Sequence, residues 1–267
     1  MGLGDGFIRP VVGIVGGTGR MGSWFGGLLE QSGLEVLRVG RRTPLTPDRM
    51  ASRCDVVVIS VPISRTVEVI GKIGPLVPKD SLLMDLTSIK QGPMDAMLRY
   101  SRAQVVGAHP LFGPDGAQDH GARVVLCPGR GEHGFVWLRN ILENSGLRVT
   151  VLSPQKHDHI MGLVQGVNHF STLALALCIS RSGLAFDDLL DCTTQTFRRK
   201  LERIGAVMEQ PAALFGSLLM DNPEAGDSLD LHMNSAEELA GIIKGRNRAD
   251  FEEIFETLRD FFMDRKL

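Results

Sequence analysis

Residues 11–31 hold the pattern that most restricts the fold. A β-branched run, residues 11–15, leads into Gly16-Gly17-Thr18-Gly19-Arg20-Met21-Gly22, and a helical pattern then runs to Gln31 and stops at Gly33. Gly17, Gly19 and Gly22 fall at G-x-G-x-x-G spacing between a strand and a helix, the context that separates a dinucleotide site from a glycine-rich turn. The first glycine permits the tight turn, the second lets backbone approach a pyrophosphate, and the third lets helix and strand pack closely. The unpaired N–H groups at the helix start then face the phosphates. Gly17, Thr18, Gly19, Arg20, Met21 and Gly22 are therefore expected to bind a dinucleotide.

The rest of the first half fits that opening. Short apolar runs at 36–39, 56–61, 82–85, 105–108, 124–126 and 148–152 alternate with helical stretches, as in a parallel sheet with crossover helices. Several are apolar on both faces, as strands covered by two helix layers are. At the end of the second strand, where an NAD site usually carries a carboxylate, the chain reads Val39-Gly40-Arg41-Arg42-Thr43. Arg41 and Arg42 suit a 2′-phosphate, which a guanidinium grips through two hydrogen bonds, so NADP is the expected cofactor and NAD the alternative. The competing reading makes both arginines solvated surface charges.

From Ser153-Pro154, an N-cap serine with proline at the first helical position, the character changes. Helical spacing of apolar residues covers 155–181, 187–208, 212–220, 236–244 and 249–264, and Ser235 with Glu238 forms a candidate capping box. The expected architecture is an α/β Rossmann domain, 1–152, followed by an all-α helical dimerisation domain, 153–267. The helical half has little polar cover of its own and is expected to bury a face against a second copy. The apolar stretch 163–179 is interrupted by Gln165, Asn168 and His169, and reads as a buried core helix, not a membrane span.

Composition narrows the function classes. With 43% hydrophobic residues and a net charge of −2, the chain has the makings of a core and no field favouring nucleic acid or an anionic membrane. The four cysteines form no C-x-x-C pair and the N-terminus lacks a signal-peptide run, so a cytoplasmic protein with reduced thiols is expected. His157 and His159, two apart on a helix, are poorly spaced for joint metal ligation, and no metal is expected.

Three segments fall at predicted strand ends, where ligands of such sheets bind. They are Ser60-Val61-Pro62, Asp85-Leu86-Thr87-Ser88-Ile89-Lys90 and His109-Pro110-Leu111-Phe112-Gly113-Pro114-Asp115. His109 is the candidate general base, since an imidazole accepts a proton near neutrality. Together with the glycine turn, His157-Asp158 and the stretch 165–170, these motifs resemble the prephenate dehydrogenase family of tyrosine biosynthesis over nearly the whole chain. The likeness is greatest to the dehydrogenase portion of the bifunctional chorismate mutase–prephenate dehydrogenases, with no mutase segment expected before residue 10.

The resemblance implies an oxidative decarboxylation of prephenate to 4-hydroxyphenylpyruvate. Hydride leaves the ring carbon bearing the 4-hydroxyl, that hydroxyl loses its proton, carbon dioxide departs and the ring becomes aromatic. It implies His109 as the base and Ser88 as the serine that hydrogen-bonds substrate hydroxyl and histidine. Ser60, Val61 and Pro62 would line the cofactor. Lys90 would hold a carboxylate or the cofactor, or remain solvated. Asp115 would be a gate or the histidine's partner, or merely cap a turn. His169 would touch substrate, and Gln165, one turn earlier, would share its face.

One departure stands out. The family's arginine for the ring carboxylate falls on Ala206, and Arg203, one turn earlier, is the candidate substitute, with Arg198 and Arg199 further back as the others. Arogenate or an amino-substituted prephenate therefore remains an alternative substrate. So do a β-hydroxyacid dehydrogenase, which relies on a helical-domain lysine, and a catalytically idle nucleotide-binding regulator.

Overall fold

The computed structural model describes residues 10–113 and 121–264. Seven strands, β1 (Val11–Val15), β2 (Glu35–Val39), β3 (Val56–Ile59), β4 (Leu82–Asp85), β5 (Gln104–Pro110), β6 (Arg123–Arg130) and β7 (Arg148–Val151), form one sheet in the order β2-β1-β3-β4-β5-β6-β7. The first five run parallel. β6 pairs antiparallel to β5, with Pro110 opposite Val124, and β7 then follows β6 in parallel. The wholly parallel sheet expected from the alternation is therefore corrected at β6, which turns back directly beside β5 where a parallel partner would need a crossover.

Helices α1 (Arg20–Gln31), α2 (Pro47–Ala51), α3 (Ile63–Ile73), α4 (Gln91–Tyr100) and α5 (His133–Asn144) cover the sheet. Successive strand residues point to opposite faces, and two cores result. Ile14, Val58, Met84 and Leu126 pack with Phe25 and Leu29 of α1 and Leu138 of α5. Val57, Ile59 and Leu83 pack on the other side with Met50, Ile70 and Met97.

Ser153 accepts a hydrogen bond from the Lys156 N–H and starts the helical half, as its position before Pro154 leads one to expect. α6 (Pro154–Met161) runs through a π-helical turn, Gly162–Val167, into α7 (Asn168–Ser180). Within one chain no α7 residue is fully buried, so the core helix expected at 163–179 is corrected: its apolar side chains have too few neighbours. The single helix expected over 187–208 is broken into α8 (Phe186–Asp191) and α9 (Gln195–Met208), because Thr194 caps the second piece by accepting from the Phe197 N–H. α10 (Ala212–Met220), α11 (Ala225–Lys244) and α12 (Arg248–Met263) complete the chain. Ser235 lies inside α11 and donates to the Leu231 carbonyl, so the capping box expected there does not form. A small core of Val207, Phe215 and Leu218 joins the halves by packing on Leu173 and on Ile63 of α3.

Candidate active site

The glycine turn is folded too tightly for side chains. Gly16 has φ +82°, and a Cβ there would meet the Ser60 carbonyl oxygen at 2.1 Å. A Cβ at Gly22 would meet the Gly16 oxygen at 2.5 Å and the Gly17 Cα at 2.8 Å. Ser60 and Val61 thus lie over the turn, as motifs of one site should. Gly19, extended, precedes α1 and offers no side-chain cap, and no acidic residue stands in the first turn. The first-turn N–H groups are left for an anion, so a pyrophosphate fits this cradle. Thr18, Arg20, Arg41, Arg42 and Pro62 are exposed, and Met21 is half-buried. Arg20 also reaches Gln210 Oε1 at 3.4 Å, linking the turn to the helical half.

β5 runs two residues beyond its expected end and carries His109 within the ladder, opposite Val125. The ring is almost wholly buried. Its Nδ1 lies 2.8 Å from His157 Nε2, and His157 Nδ1 lies 2.7 Å from Asp158 Oδ1. The Asp158 carboxylate also accepts the backbone N–H groups of Lys90 and Gln91, each at 2.8 Å. Because a carboxylate only accepts, His157 donates from Nδ1, and with both rings neutral its Nε2 accepts from His109 Nδ1. His109 Nε2 keeps its lone pair and points toward the helical half, where the Gln165 amide stands 3.5 Å away. Burial above all, then the neighbouring His157 and the Lys90 charge, hold the His109 pKa well below its usual 6.5. The arrangement holds an imidazole in one orientation and disfavours its protonation.

The remaining predicted residues divide. Ser88 is half-buried in the loop between β4 and α4 that also carries Thr87 and Lys90. Lys90 is corrected as a ligand group: it is fully buried, with Nζ 2.5 Å from Asp85 Oδ2 and donating to the Ala108 carbonyl at 3.0 Å. An ammonium without water contact keeps its partner, since an unpaired buried charge is strongly destabilising. Asp115 lies outside the described residues. His169 packs edge-on against Phe215, with ring centroids 5.0 Å apart, and its buried Nδ1 has no partner. Burial, and then the charge of Arg203, lower its pKa. Arg203 itself is exposed on α9.

In the sequence His157 and Asp158 belong to the resemblance without a chemical role of their own. The available signal was the stripe His157, Met161, Gln165, His169, four residues apart along one helix. Asn222, in the turn before α11, was missed altogether. It is buried and donates to the Asp158 carbonyl at 3.0 Å, and a single asparagine in a turn carries no mark of this.

Comparison with known proteins decides the family. Residues 35–151 match the family described as prephenate dehydrogenase, nucleotide-binding domain, and residues 153–260 match prephenate dehydrogenase, dimerization domain. This chain belongs to the prephenate dehydrogenase family. It is 32% identical over 251 residues to the T-protein of Haemophilus influenzae, covering 94% of this chain and 67% of that one. Its fold is that of the Aquifex aeolicus prephenate dehydrogenase solved with hydroxyphenyl propionate and NAD+ (TM-score 0.73, 18% identity, 95% and 97% of the two chains). The Synechocystis arogenate dehydrogenase is equally similar in fold (TM-score 0.74, 17% identity, 94% and 98% covered). Prephenate dehydrogenases are oxidoreductases, and this chain is one of them.

Proposed function

We propose that the chain oxidatively decarboxylates prephenate to 4-hydroxyphenylpyruvate in tyrosine biosynthesis, with NADP as the preferred hydride acceptor. The carrying observation is the Asp158–His157–His109 chain, which leaves one imidazole lone pair in a buried site. His109 Nε2 takes the proton of the 4-hydroxyl as the C–H pair leaves as hydride. The resulting imidazolium stays hydrogen-bonded to His157, which is held in turn by Asp158. Nicotinamide bound beyond the glycine turn would receive the hydride, and loss of carbon dioxide completes the aromatic ring. Ser88 in the neighbouring loop would hydrogen-bond the substrate.

On the helical side, the unpartnered Nδ1 of His169 and the nearby charge of Arg203 supply a donor and a cation for carboxylates. This supports Arg203 as the group that takes over from the residue replaced by Ala206. Arogenate is the second reading: it differs from prephenate in one side-chain substituent and keeps the ring carboxylate, so the same pocket serves either. NADP is supported by Gly40, Arg41 and Arg42, and the homodimer by the exposed apolar helical face.

A matrix of prephenate and arogenate against NADP and NAD tests the reading. Turnover is expected with prephenate and NADP, and His109→Asn should lower kcat by about 10²–10⁴-fold. Arg203→Ala should raise KM for prephenate by about tenfold or more with a smaller change in kcat. No cofactor reduction with either substrate, or full activity in His109→Asn, would sink the proposal.

A further inference from the structure

Thr18 and Gly40 interlock beside the glycine turn. We infer that this pair decides which adenosine ribose the site accepts, an inference that rests on the NADP reading above. Residue 40 follows the last residue of β2, where an NAD site presents a carboxylate to the ribose hydroxyls. A Cβ at Gly40 would stand 2.3 Å from Thr18 Oγ1, 3.1 Å from its Cγ2 and 3.3 Å from its Cβ. The threonine thus fills the space in which an acidic side chain at 40 would begin. Rotation gives little relief. A β-branched side chain keeps a heavy atom toward Gly40 in most staggered rotamers, and the Cβ does not move with χ1.

Nor can the two backbones slide apart. The Gly16 and Gly17 N–H groups donate to the Val39 carbonyl at 2.8 and 3.1 Å. A Cβ at Gly17 would come within 3.0 Å of Arg38 Cα, so the turn already rests on β2. Beyond it, Thr43 Oγ1 accepts from the Gly40 N–H at 3.1 Å and lies 3.0 Å from the carbonyl oxygens of Gly40 and Leu45. The segment is therefore pinned from both sides with Arg41 following it. A hydroxyl donates to a phosphate oxygen, whereas a carboxylate only accepts and repels phosphate. Thr18 with Arg41 recognises a 2′-phosphate, and Thr18 blocks the acidic side chains at 40 that would read a free 2′-hydroxyl.

Calorimetric titration with 2′,5′-ADP and 5′-ADP tests this without turnover, with thermal melting as the folding control. Thr18→Ala should weaken 2′,5′-ADP by about 3- to 10-fold, the worth of one hydrogen bond, and leave 5′-ADP nearly unchanged. Gly40→Asp alone should weaken both ligands. Combined with Thr18→Ala, it should bind 5′-ADP more tightly than the native chain does. If Gly40→Asp improves 5′-ADP binding as much alone as in the double variant, the interlock is irrelevant and the inference fails. Unchanged 2′,5′-ADP affinity in Thr18→Ala removes the hydroxyl's role. By contrast, an unaltered preference in Arg41→Ala overturns the NADP reading, while the Gly40→Asp pair still decides the interlock. Should Gly40→Asp not fold, Gly40→Ala reads the same clash: its melting temperature should fall and be restored by Thr18→Ala.

Discussion

Protonating His109 would place a cation in a water-excluded site beside a second imidazole and the buried Lys90 ammonium. The folded chain therefore holds this ring neutral at pH values where an unfolded chain begins to charge it. Below about 6.5 the unfolded state binds more protons, so stability should fall as pH drops through the interval between that value and the lower folded pKa. The sign is that of a buried base, opposite to a histidine stabilised by an ion pair. Thermal midpoints between pH 8 and 5 should decline steeply in the native protein and less steeply in His109→Asn; equal slopes would assign the acid sensitivity elsewhere. The position of His109 at a strand end was legible because its motif follows the fifth apolar run. Its partner was not, because Asp115 follows it in sequence whereas His157 meets it only through the packing of α6 on the sheet domain. Lys90 misled for a related reason: a lysine in a ligand-side loop reads as a ligand group until Asp85, five residues earlier, is seen to take its charge.

Along the helix Pro154–Ser180, a π turn spans Gly162–Val167 and carries Gln165. In an α-helix each step of four residues advances a side chain by about 40° around the axis, so a stripe at 157, 161, 165 and 169 would drift away from His109. A wider turn takes part of that rotation back, and Gln165 is brought to 3.5 Å from His109. Gly162 begins the turn in contact with α11: a Cβ there would stand 2.4 Å from Ser228 Oγ and 3.0 Å from the Glu224 carbonyl. In an exposed helix, glycine to alanine gains about 1 kcal/mol. Here overpacking of about 1–3 kcal/mol should outweigh it. Gly162→Ala is expected to lower both the melting temperature and kcat, with partial rescue by Ser228→Ala, and a stabilised variant of normal activity would refute the positioning role. None of this was legible beforehand, since hydrophobic spacing does not separate a π turn from an α one. Strand positions were legible, being short apolar runs between turn signals. The direction of β6 was not, because it depends on where the chain re-enters the sheet.

At the scale of the molecule, the two halves are unequally finished. The sheet domain closes two cores, whereas α7, α8 and α12 bury no residue fully and the helical core is Val207, Phe215 and Leu218. On α12, Phe251, Phe255, Leu258 and Phe262 recur at spacings of four, three and four residues, and all are exposed. That is one continuous apolar stripe. Exposed apolar patches of this kind mark interaction surfaces, and residues 153–260 match a family described as a dimerization domain. The expectation of a second copy came from too many apolar helix faces for one small domain, and the face that the structure leaves most open is the one on α12, which we propose as the seam. Sedimentation should give twice the chain mass, with a melting temperature that rises with protein concentration. Phe255→Glu with Leu258→Glu should yield monomers that melt lower. Because the helix bearing Gln165 and His169 shares the under-packed half, those monomers should also turn over more slowly while retaining 2′,5′-ADP affinity at the glycine turn of the sheet domain. A native chain that sediments as a monomer, or charged variants that remain dimeric and fully active, would place the interface on another face.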